Sequence, residues 1–229
     1  MGIKERQERD REAVRRAILD AARDLFVTEG YQHVSIRKIA ERIEYSPAAI
    51  YSYFPSKDDI FFALAEEGFR LLGDPAAFDA VSTPEPLDHI RAIFWSFYEF
   101  SRNHPEYFTL MFVDRSVPRI IREYERFTFV RDMKRNIIEH LQRCIDAKSI
   151  PATVDPSIAF HLLAVGVTGV ANMRLSDRVP REIADALARD TINVVIAGLQ
   201  SGICLQSTAV GAAGTDIGEP AAAPIGVTR

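Results

Sequence analysis

The sequence predicts an all-α fold, with a small three-helix N-terminal head and a larger C-terminal helical body. Three observations predict it. Apolar residues recur at i, i+3 and i+4 along most of the chain, with no strand alternation or hairpin turn among them. Serines at 35, 46 and 56 each precede a helical pattern, as N-caps do. A break containing Gly73, Pro75, Pro84 and Pro86 separates the head and its connecting helix from the rest.

The first helix carries Val14, Ile18, Ala21, Ala22, Leu25 and Phe26 on one face, and Gly30 is a natural stop. Ser35 caps a second helix that buries Ile36, Ile39, Ala40 and Ile43, after which Glu44 and Tyr45 make a turn. Ser46 caps a third, with Pro47 at the first helical position, where a missing N–H costs nothing. Ser56 and Asp59 form a capping box for a fourth helix running to about Leu72. Beyond the break, helices are expected from about Glu85 to Asn103, from Pro105, from Pro118 to Ala147, from Asp155–Pro156, and from Pro180 to about Leu199. These elements divide the chain into a flexible arm (1–10), a head (11–57), a connecting helix (58–72), a body (73–206) and a disordered tail (207–229).

The chain has 229 residues, 47% apolar and 26% charged, an ordinary globular composition. No run is read as a membrane span, and the charged N-terminus lacks the apolar centre of a signal peptide, so a cytoplasmic protein is expected. Cys144 and Cys204 are expected as reduced, buried thiols, with a disulfide or redox switch as the alternative. The net charge is −4, unevenly spread: residues 1–57 hold 11 Lys+Arg against 9 Asp+Glu, the remainder 17 against 23. A slightly basic head on an acidic body suits a partner of negative charge.

Two short helices joined by a tight turn, the second small-faced, form the pattern of a helix-turn-helix that enters a DNA major groove. Ala48 and Ala49 permit close approach and can touch a thymine methyl; Ser46 and Ser52 can hydrogen-bond to bases or phosphates. Tyr51 and Tyr53 reach the backbone, while Ile50 and Phe54 anchor the helix from behind. Lys57, at the start of the next helix, is expected on a phosphate, and Ser35 and Arg37 on the opposite strand. Lys57→Ala is accordingly expected to weaken binding to all sequences and flatten its salt dependence.

The segment from about Arg15 to Leu64 resembles the N-terminal domain of the tetracycline-repressor (TetR) family of bacterial transcription regulators. The resemblance rests on Ala21, Ala22 and Phe26, then Gly30-Tyr31, Val34-Ser35-Ile36, Ile39-Ala40, Ser46, the stretch from Ile50 to Phe54, and Lys57. It implies a helical homodimer with two DNA-binding heads and a C-terminal domain that dimerises and binds a small molecule. In that family, residues matching Ser35, Arg37, Ala48, Ala49, Tyr51, Ser52, Tyr53 and Lys57 commonly contact DNA. Two departures stand out. Glu44 occupies a turn position where the family usually has glycine, and Pro47 and Ser52 stand where basic or imidazole side chains are frequent.

In the body, aromatic residues crowd into residues 94–112. Phe94, Phe97, Tyr98, Tyr107, Phe108 and Met111 are the candidates for an effector pocket taking a small apolar or aromatic ligand; a plain core stripe is the alternative. The segment HPEYFTLMF looks like one found in a TetR subgroup. Residues 158–171 are almost wholly apolar, and Leu162, Val165, Gly166 and Gly169, with Val195 and Leu199 of the last helix, are the candidates for a two-chain four-helix bundle. Such a dimer would read a palindromic operator. The five histidines are isolated in sequence, no metal-ligand spacing or phosphate loop is present, and no cofactor or enzymatic activity is expected. A helical ligand-binding adaptor, or an activator, remains the alternative to a repressor.

Overall fold

The computed structural model describes residues 2–73, 85–118 and 127–202. Among these residues the chain forms nine α-helices and no strand. They are α1 (Ile3–Glu29), α2 (Ile36–Arg42), α3 (Pro47–Tyr51), α4 (Lys57–Leu72), α5 (Pro86–Asn103), α6 (Pro105–Phe108), α7 (Thr128–Asp146), α8 (Pro156–Leu175) and α9 (Arg181–Gln200). The all-helical expectation holds.

The local start signals work as caps. Ser35 Oγ accepts the Lys38 N–H at 3.2 Å, Ser46 Oγ the Ala49 N–H at 3.2 Å, and Ser56 Oγ the Asp59 N–H at 3.1 Å. Asp155 does the same for Ser157 and Ile158 at the start of α8. Two features differ from expectation. Residues 3–10, expected as a flexible arm, continue α1 as its first turns, exposed over residues 4–10. The helix expected from Pro118 to Ala147 is described over Thr128–Asp146, and the start of that expectation, at 119–126, lies outside the described residues. After α6 the backbone widens into a π-helical turn, Thr109–Val113, in which Asp114 N–H reaches Thr109 O at 2.8 Å.

α1 packs on α2 and α4, and the head closes around Ile18, Phe26, Ile39, Ile50 and Ile60, all 0–1% exposed. α4 then runs into the body, where it meets α5, α6 and the π-turn. α5, α7, α8 and α9 form the main bundle, and α8 and α9 share its most extensive contact. α8 is long and apolar enough to cross a membrane, against the expectation of no such run. It packs against α5, α7 and α9, as a bundle helix does.

Cys144 is a free, fully buried thiol, and burial pushes its pKa up to about 11. Cys204 and the tail at 207–229 lie outside the described residues. The histidines are not all isolated: the buried rings of His89 and His140 stack at 4.3 Å, joining α5 to α7.

Candidate DNA interface and effector cavity

The helix-turn-helix is built from inside outward. Ile36, Ile39, Ala40, Ile50 and Phe54 are buried, which turns the opposite faces of α2 and α3 to solvent. The turn between them places Glu44 at φ +60°, a left-handed conformation that costs a non-glycine residue about 1 kcal/mol. Ser46, Ala48, Tyr51 and Ser52 are exposed, with Tyr51 at 53%; Ala49 and Tyr53 are half-buried. Ser52 Oγ donates to the Ala49 carbonyl at 2.7 Å, and the Ser35 and Ser46 hydroxyls serve as caps. Local roles thus occupy all three. Arg37 is exposed and pairs with Glu41 at 2.8 Å, a surface contact worth little that a phosphate can replace.

Lys57 is the exception. Its ammonium turns inward, donating to the carbonyls of Tyr31 at 2.8 Å and Val34 at 3.0 Å while lying 4.0 Å from the centre of the Tyr31 ring. Tyr31 in turn donates its hydroxyl to Asp58. Burial lowers the Lys57 pKa from its ordinary value, with the Asp58 charge opposing, and burial and the Asp58 hydrogen bond raise that of Tyr31. The cation expected on a phosphate therefore fastens the start of α4 to the loop before α2.

Two features of this face were not singled out in the sequence. Tyr45, read as a turn residue, is 45% exposed beside α3. Arg11 lies 5.8 Å from the Tyr53 ring centre, and Arg15 lies 5.4 Å from that of Phe54. The helical pattern of α1 marked its buried face but carried no signal for where its arginines would fall.

In the body a cavity of about 390 Å³ opens between α4, α5, α7 and α8. α4 supplies Phe69 and Leu72, and α5 supplies Ile93, Phe94 and Phe97. Met111 and Phe112 of the π-turn, Phe127, and Phe160, Ala164 and Thr168 of α8 add further wall. α7 contributes Val130, Met133 and Ile137 together with two cations, Arg131 and Lys134.

Of the six pocket candidates, Phe94, Phe97 and Met111 line this space; Tyr98, Tyr107 and Phe108 do not. The Tyr98 hydroxyl donates to Asp185 at 3.0 Å, and burial and that bond push its pKa up to about 12. Tyr107 faces α1, where Arg23 donates to its hydroxyl at 3.4 Å. Phe108 is fully buried core. The α7 and α8 lining was missed because those helices show no aromatic crowding in sequence.

Head and body meet through charge and close packing. Arg16 of α1 donates to both carboxylate oxygens of Glu67 on α4, at 2.7 and 2.8 Å, and also to Asp20. Burial works against the Arg16 charge, but these bonds more than offset it and hold its pKa above the ordinary value. At the next residue of α4, a Cβ at Gly68 would overlap Met111 Sδ and stand 3.1 Å from the Tyr107 ring.

The dimer candidates divide. Leu162, Val165 and Gly169 lie on an exposed apolar face of α8, continued by Met173. Gly166 instead serves the chain's own core, since a Cβ there would come within 2.9 Å of Thr191 Cγ2 on α9. Leu199 is only 3% exposed and Val195 half-buried; the outward apolar residues of α9 are Ile183, Leu187 and Val194.

The head's residues 18–64 match the family model of bacterial regulatory proteins of the tetR family. An HTH-type transcriptional repressor of Mycobacterium tuberculosis is 46% identical over 55 residues, covering 24% of this chain and 29% of that protein. The match thus spans under a third of that relative's length. The head is thus a TetR-family head. An HTH-type transcriptional regulator of Bacillus subtilis, YwcC, extends the likeness into the body: 23% identity over 178 residues, 70% of this chain and 75% of that one. The fold of the transcriptional regulator FadR from Bacillus subtilis, solved in complex with stearoyl-CoA, superposes with a TM-score of 0.65 at 15% identity, covering 80% of this chain and 97% of that one.

Proposed function

We propose that this regulator is a cytoplasmic repressor that binds a palindromic operator as a homodimer and releases it when an apolar ligand fills the cavity of the body. One observation carries the reading: α4 belongs to both sites. Its first residue, Lys57, fastens the helix-turn-helix loop, and its last turns, with Phe69 and Leu72, wall the cavity. A ligand that displaces Phe69 or Met111 therefore moves the helix on which the head is mounted. Ligand and operator then oppose one another reciprocally, with a coupling of about 1–3 kcal/mol.

In this reading Ala48, Ala49 and Tyr51 meet the major groove, with Ser35, Arg37, Ser46, Ser52 and Tyr53 on phosphates or base edges. Arg11, set against Tyr53, adds a cation to that face. Because Pro47 and Ser52 bring no charge, backbone contacts and DNA shape carry more of the affinity than base-edge hydrogen bonds. The exposed apolar faces of α8 and α9 join two chains. Stearoyl-CoA in the Bacillus subtilis FadR is a precedent for an apolar chain held by this fold.

Fluorescence anisotropy of the protein on DNA upstream of its own gene, against a scrambled duplex and across a salt series, tests the reading. Selective binding that weakens steeply with salt is expected. Absence of binding at low salt would identify a helical ligand-binding adaptor instead.

A further inference from the structure

The cavity is almost entirely hydrocarbon, yet its charged lining has one sign. Arg131 and Lys134 face it from α7, and among the described residues no Asp or Glu lines it. Lys134 is the more telling of the two. Its ammonium has no carboxylate partner among the described residues. Its neighbours are the Phe160 ring, 5.3 Å from the ring centre, and His161 Nε2 at 3.3 Å.

That imidazole is itself oriented. His161 Nδ1 lies 2.6 Å from the Ser157 carbonyl, an acceptor only, so Nδ1 carries the proton and Nε2 is left to accept from Lys134. A neutral acceptor on one side and an aromatic face on the other fix the position of the ammonium without cancelling its charge. An apolar ligand with no charge would leave that ammonium at the edge of a greasy cavity uncompensated. One with an acidic end would pair it.

We infer that the effector is an amphipathic anion, its apolar part among the phenylalanines and its carboxylate or phosphate end held by Lys134 with Arg131 alongside. The inference rests on the effector reading of the cavity and specifies the ligand class. Lys134 is the residue that selects for charge. Phe160 and His161 position it.

Calorimetric titration of the full chain with dodecanoate and with dodecan-1-ol tests this, since the two share a chain and differ in charge. Dodecanoate is expected to bind about 10–100-fold more tightly, the range for one charge-assisted hydrogen bond. Lys134→Met should remove most of that preference, and Lys134→Arg should restore it. Equal binding of acid and alcohol, with Lys134→Met unchanged, would overturn the anion inference and leave the effector cavity standing. If neither amphiphile binds, and neither shifts the operator-binding curve, the effector reading fails with it. Dodecyl phosphate and dodecanoyl-coenzyme A, run beside the free acid, distinguish which acidic end is preferred.

Discussion

Lys57 shows how one side chain changes meaning between sequence and structure. Its place at a helix N-terminus marks it for a phosphate, yet its ammonium is already held by two carbonyls and a tyrosine ring. Lys57→Ala should therefore act chiefly on the fold, lowering stability to urea by about 1–2 kcal/mol through the loss of both bonds, which leaves the Val34 carbonyl unpaired and the Tyr31 carbonyl with the Val34 N–H alone. The salt slope of operator binding should stay at the parent's value, whereas a phosphate-binding lysine would reduce it by about one. Glu44 offers the opposite case, a residue whose cost is visible in the backbone. At φ +60° and exposed, it gains nothing from its side chain there. Glu44→Gly should stabilise the head, by less than about 1 kcal/mol in urea denaturation, because the left-handed strain it relieves exceeds the entropy it adds to the unfolded chain.

Among the elements, the helix starts were legible because a cap is a local event. Ser35, Ser46 with Pro47, Ser56 and Asp155 each act within three residues of themselves. What was not legible depends on partners far along the chain. Tyr98 looked like a pocket residue until Asp185 claimed its hydroxyl, and Tyr107 until α1 brought up Arg23. Spacing gives the face of a helix but not which neighbour it meets, so Val130, Met133 and Ile137 of α7 carried no signal. Gly68 belongs here too, as the point where α4 touches the π-turn. A Cβ there would overlap Met111 Sδ, the far end of a flexible side chain that also lines the cavity. Gly68→Ala gains about 1 kcal/mol of helix propensity and loses about 1–3 to overpacking, so its stability should fall by no more than about 2 kcal/mol. Its ligand affinity should fall, because Met111 has the cavity to move into. Adding Met111→Ala should recover that affinity, and a double-mutant cycle read by calorimetry measures the coupling.

The whole molecule carries two exposed surfaces, the helix-turn-helix and the outer stripe of α8 and α9. Leu162, Val165, Gly169 and Met173 recur every three or four residues along α8, with Ile183, Leu187 and Val194 along α9, as a continuous seam does. Val165 and Val194 are 70% and 69% exposed in the single chain, so neither contributes to its core. Leu199, chosen from sequence for the same role, is buried inside it. The two classes of residue predict different failures. Val165→Glu should leave the helical content and the melting of the protomer close to the parent's, yet shift sedimentation from dimer to monomer. With the dimer goes the fixed spacing of two recognition helices, and binding to a two-half-site operator should fall towards that of a single half-site. Leu199→Ala should instead cost about 2–5 kcal/mol of stability by opening a cavity between α8 and α9, with dimer and operator affinity following only as the fold is lost. If Val165→Glu remains a dimer, the seam lies elsewhere, and the exposed stripe must be covered by something other than a second copy of this chain.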